Sequence, residues 1–197
     1  MTHFLKDQLE AFVSTDGVEV VSRSAKHLCF TKSEGNRLDF LSYAYVPADL
    51  MSVPRDIMNC IPRSYLELLA QSNGLRLLGG AVIFYGFLFD NDRFGERDGP
   101  VPISLEEKID LFARTHPSLW GRGLRPIGAV ASNVVETILA EMNGGEAFCM
   151  NSRGELVSIG PVFSLFDRSI NILHDCFGGK LLVDAITCRE FMIRRAG

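Results

Sequence analysis

The chain has 197 residues, 47% hydrophobic and 22% charged, with a formal charge of -4 and a pI near 5.6. A chain of this length buries roughly 70% of its extended surface in one core, and the composition excludes extended disorder, which needs low hydrophobicity with high net charge. It also lacks a basic field for phosphates, because Arg122, Arg125, Arg194 and Arg195 are scattered, which argues against direct nucleic-acid binding.

The opening stretch MTHFLKDQLEAF has Lys6, Asp7 and Glu10 inside its apolar pattern, which breaks the continuous run a signal peptide requires. Leu5, Leu9, Phe12 and Val13 nevertheless fall at helical spacing, so residues 3–14 are predicted as an amphipathic helix with a turn at Gly17. Three β-type runs follow, VEVV (18–21), LCFT (28–31) and LDFLSYAYV (38–46), separated by polar turns such as KSEGN and expected to pair antiparallel. In the third, Leu38, Phe40, Ser42, Ala44 and Val46 share one face, and Asp39, Leu41, Tyr43 and Tyr45 the other.

The segment IPRSYLELLAQSNG (61–74) carries helix punctuation: Pro62 suits the first turn, Gly74 after Asn73 suits a left-handed stop, and Tyr65, Leu68, Leu69 and Ser72 form the inward stripe. LLGGAVIFYGFLF (77–89) is a β-type run too apolar for a sheet edge, with Gly79 and Gly80 allowing a bulge. After the polar loop DNDRFGERDG (90–99), Ser104 and Glu107 have capping-box spacing and start a helix over 105–115. EAFCM (146–150) and LVSIG (156–160) are predicted as a hairpin across NSRGE. Phe163, Phe166, Ile170, Leu173 and Phe177 make a helical seam ended by Gly178 and Gly179, and residues 184–195 continue as a helix. Without an internal repeat or low-complexity linker, residues 1–197 are expected to form a single domain.

Motifs with a chemical mechanism are absent from the sequence. It contains no C-x-x-C or H-x-x-x-H metal spacing, and the consecutive His174, Asp175 and Cys176 point in different directions on a helix. The run Asp90, Asn91, Asp92, Gly95 begins like a calcium loop, but Phe94 takes a ligand position and no glutamate closes the frame. Trp120-Gly121-Arg122-Gly123 lacks the further glycine of a dinucleotide fingerprint, and no G-x-S-x-G elbow occurs. A Cys-His pair from distant residues, such as Cys149 with His116, stays open. Five cysteines without paired spacing read as reduced thiols, and no run reaches the ~18 apolar residues of a membrane span, so a cytoplasmic protein without membrane association is expected. No catalytic group, metal or cofactor is expected.

Three segments in fixed order, IPRSYLELLAQSNG, PISLEEKIDLFARTHPSLW, and RPIGAVASN with the hairpin EAFCMNSRGELVSIG, together resemble the SUKH superfamily, which includes the yeast cell-wall synthesis regulator and many bacterial relatives. The matching positions are Ile61, Pro62, Tyr65, Leu69, Asn73 and Gly74, then Trp120, then Pro126, Ile127 and Gly128, within a stretch of about 50 to 175. The resemblance implies a non-enzymatic α+β fold, helices packed on a mostly antiparallel sheet, with the matching residues holding its shape. It further implies a protein partner: bacterial relatives are typically immunity proteins that neutralise a toxin, often a nuclease, whereas the yeast branch looks like a regulatory scaffold. Partner contacts would then fall on polar loops, and Asp90, Asp92, Glu96 and Asp98 are the candidates, complementary to a basic nuclease.

Overall fold

The computed structural model describes residues 18–23, 27–32, 41–77, 80, 82–88, 101–131, 136–142, 145–150 and 155–161. The helices expected at 3–14, 163–177 and 184–195 lie outside the described residues, as does the acidic loop 90–99.

Among the described residues, nine strands form one antiparallel sheet in which neighbours in space are neighbours in sequence. They are β1 (Val18–Arg23), β2 (His27–Lys32), β3 (Ser42–Tyr45), β4 (Leu75–Leu77), β5 (Val82–Phe84), β6 (Arg125–Ala131), β7 (Glu136–Glu141), β8 (Glu146–Met150) and β9 (Leu156–Pro161). Among the described residues, two of the connections carry helices. Between β3 and β4 come a 3-10 turn (Leu50–Ser52), α1 (Arg55–Cys60) and α2 (Arg63–Leu69); between β5 and β6 come α3 (Leu105–Thr115) and α4 (Pro117–Gly121). The protein is thus α+β with an antiparallel sheet.

Alternation along β7 places these helices on opposite faces of the sheet. Successive strand residues point to opposite sides; Ala140 packs with Phe112 of α3, while Glu141 meets Ser64 of α2. On the α2 side, Tyr65, Leu68 and Leu69 are buried with Leu75, Phe84 and Ile127. Full burial of a leucine-sized side chain is worth roughly 1.5–3 kcal/mol, so these three positions account for much of α2's attachment. On the other side Ile109 and Phe112 carry the inward stripe of α3, whose N-terminus is capped as the sequence predicts: the Ser104 hydroxyl accepts from the Glu107 amide at 3.3 Å.

The structure revises several boundaries. The 77–89 run is not one strand: the chain doubles back through Gly80, and β4 and β5 pair as a hairpin, Leu75 opposite Phe84 and Leu77 opposite Val82. β5 is buried along its whole length and follows closely on the buried Leu77 that ends β4, so the two merge into one apolar run in the sequence and hide the turn. Of the third run, Ser42–Tyr45 is strand and Val46 beyond it is exposed, while 38–40 lie outside the described residues. The helix expected over 61–74 is regular over Arg63–Leu69, with Pro62 at its N-cap rather than inside it. Strand β7 and helices α1 and α4 have no counterpart among the predicted elements. The hairpin of β8 and β9 does: Met150 opposes Leu156 and Glu146 opposes Pro161.

Candidate functional site

Three polar side chains of the 61–74 segment, Tyr65, Ser72 and Asn73, are buried and engaged by backbone. The Tyr65 hydroxyl lies 2.6 Å from both the Tyr85 and the Ile127 carbonyl oxygens, so its one proton is shared between the end of β5 and β6. Burial, ahead of the neighbouring Tyr85 and Glu141, pushes its phenol well above the usual range and keeps it a donor. The Asn73 side chain acts as an extra strand residue, donating to the Phe87 carbonyl at 2.8 Å and accepting from the Phe87 amide at 2.7 Å. Ser72 donates toward the Tyr45 and Gly74 carbonyls at 3.0 and 2.8 Å, and the Asn73 amide donates to the Val46 carbonyl at 3.0 Å.

Close backbone approaches explain the glycines here. Gly74 has φ +86, and a Cβ there would come within 2.7 Å of the Phe84 carbonyl oxygen. A Cβ on Gly128 would collide with the Ile83 carbonyl oxygen across the β5–β6 pair. Ile61, Leu69 and Ile127 are buried core, while Trp120 is half-buried and carries the Arg125 guanidinium 3.6 Å from its ring centroid. That guanidinium also donates to the Trp120 and Leu124 carbonyls, each at 2.9 Å.

Glu141 stands out on the α2 face. It is fully buried; its Oε1 accepts from the Ser64 hydroxyl, and its Oε2 has no hydrogen-bond partner among the described residues. Its cross-strand neighbour is Arg125, whose guanidinium is held on Trp120 instead. Burial pushes the Glu141 carboxyl up to about 8, so at neutral pH it is mainly protonated.

On the α3 face lies a half-open groove of about 210 Å³. Its floor is apolar, formed by Tyr85, Phe112, Pro126 and Ile138, and its rim carries Lys108, Thr115 and His116. Lys108, Leu111, Phe112 and Thr115 recur at positions i, i+3, i+4 and i+7, one stripe of α3. The Lys108 ammonium lies 5.4 Å from the Tyr85 ring centroid, and the His116 ring 5.1 Å from that of Phe112.

No family model, curated protein or solved structure matches this chain.

Cys149 and His116 are not brought together. Cys149 pairs across the strands with Leu139, on the α2 face, whereas His116 ends α3 on the opposite one. Among the described residues, no group of three or more His, Cys, Asp or Glu could hold a metal ion, and no helix is long and apolar enough to cross a membrane. Asp90, Asp92, Glu96 and Asp98 lie outside the described residues. Sequence reasoning passed over both the groove and Glu141. The α3 stripe was a readable signal, but its partners Tyr85, Pro126 and Ile138 come from three different strands or their ends. Glu141 is an acid in a strand that the sequence reading left unassigned.

Proposed function

We propose that this chain is a non-enzymatic, protein-binding domain of the SUKH type, acting in the bacterial cytoplasm as an immunity protein that binds and neutralises a toxin, often a nuclease. The observation that carries the reading is the use made of the residues in the resembling pattern. Tyr65 and Asn73 direct their polar atoms to the backbone of adjacent elements, and Gly74 and Gly128 permit close backbone approach. Residues engaged in this way build a scaffold, and on a scaffold recognition belongs to the polar loops. The net charge of -4 and the four acids of the 90–99 loop suit a basic partner, since complementary fields speed encounter and fix register.

The test is co-expression with the toxin-like protein encoded by the adjacent gene, reading growth rescue and complex formation. Rescue with a stable complex is expected; neither rescue nor complex removes the proposal. Charge reversal at Asp90, Asp92, Glu96 and Asp98 together is expected to weaken the complex at least tenfold. Unchanged affinity would take the interface off this loop.

A further inference from the structure

We propose that Arg125 is a pH-responsive clasp: it stays on Trp120 while Glu141 is protonated, and crosses to the Glu141 carboxylate when that group ionises, releasing α4. The device stands apart from the toxin-binding reading and needs no protein partner.

Register places the two groups together. Arg125 of β6 lies directly opposite Glu141 of β7, and residues so paired in an antiparallel sheet share a face, with Cβ atoms about 4.5–5.5 Å apart. An arginine side chain spans that gap, yet the guanidinium is turned away, 3.6 Å from the Trp120 ring centroid and donating to the Trp120 and Leu124 carbonyls. The carboxyl it leaves is fully buried, and its Oε2 has no hydrogen-bond partner among the described residues. A neutral carboxyl tolerates such a place. An ionised one needs a cation, because a buried charge left uncompensated is among the costliest features a fold can hold.

The groups around Glu141 leave Arg125 as that cation. From α2 come the Ser64 hydroxyl, already bonded to Oε1, and Tyr65, whose proton is shared between two carbonyls. Arg63, beside Ser64, is exposed and paired with Glu67. On β8 the residue opposite is Ala147, and alternation turns Glu146 to the other face, where it accepts from the Ser158 hydroxyl. The clasp can let go, since the Trp120 carbonyl also accepts from the Gly123 amide at 3.0 Å and keeps a partner. Trp120 packs against both apolar cores, so loss of the guanidinium loosens α4 where they meet.

The experiment follows the Cδ protons of Arg125 in the full-length chain by NMR from about pH 6 to about pH 9, which brackets the value of about 8 that burial gives the Glu141 carboxyl. The Trp120 ring should shift these protons upfield at the acid end. Most of that shift should be gone at the alkaline end, half of it lost where the Glu141 carboxyl carbon titrates. Glu141→Gln should hold the upfield shift throughout. Cys60→Ser and His116→Asn, which remove the other titratable groups beside Arg125 and Trp120, should leave the transition in place. By linkage, Arg125→Gln should raise the Glu141 midpoint by about half a pH unit or more, a threefold change in proton affinity, and Trp120→Leu should lower it. The proposal is overturned if the Arg125 protons keep their shift while Glu141 ionises, or if Glu141 stays protonated across the whole range. It is equally overturned if Glu141→Gln loses the shift as the wild type does, or if Arg125→Gln leaves the midpoint where it was.

Discussion

Replacing Glu141 by Gln should change the pH dependence of stability more than stability itself at any single pH. Glutamine keeps the shape and an acceptor for the Ser64 hydroxyl but cannot ionise. In the wild type burial pushes the folded carboxyl up to about 8, while in the unfolded chain it keeps its ordinary value near 4.5. Between those values the folded state binds more protons than the unfolded, so stability falls as pH rises, by up to about 1.4 kcal/mol per pH unit. No penalty exists below pH 4.5, and the loss levels off above pH 8. Integrated from pH 4.5 to pH 7, this amounts to about 3 kcal/mol as an upper bound. Urea unfolding of both proteins at half-unit pH steps isolates the term, because the other titrating groups are common to both and cancel. The wild type should be the more stable, or equal, near pH 4.5, and Glu141→Gln should gain on it steadily up to pH 8. Parallel curves from pH 5 to 8 would show that the carboxyl ionises normally in the fold and would refute the assignment of a buried, neutral Glu141.

Three further outcomes follow from the framework. Tyr65→Phe removes the donor that serves the buried Tyr85 and Ile127 carbonyls; it should cost about 1–3 kcal/mol, read as a lower urea midpoint at unchanged slope. Gly128→Ala should fail to fold or lose more than about 3 kcal/mol, because its Cβ meets the Ile83 backbone, whereas Gly121→Ala, with nothing within 4 Å, should remain close to wild type in thermal melts. Ser104→Ala should cost about 1 kcal/mol through loss of the α3 cap, measured by chemical denaturation; an unchanged midpoint would mean that the amide finds water as readily.

Local signals were legible wherever a few adjacent residues decide the structure. Ser104 and Glu107 mark the start of α3, because capping is a property of a single turn. The β8–β9 hairpin was equally readable from two short runs and a polar turn. Where every residue of a short strand is buried, as in β5, alternation disappears, and with Leu77 of β4 close before it the turn between the two strands is silent in the sequence.

The amino-acid sequence by itself determined the α+β class, the punctuation of α3 and the inward stripe of α2, since these follow from spacing along the chain. Which strands lie opposite those stripes was decided by the tertiary structure. Pairing of β6 with β7 set Glu141 beside Ser64 on one face, and packing of α3 across β5 to β7 made the groove on the other. The physical reason is that periodicity states which side of an element is turned inward, while the identity of the partner depends on contacts between residues as far apart as Ser64 and Glu141, which no local pattern encodes.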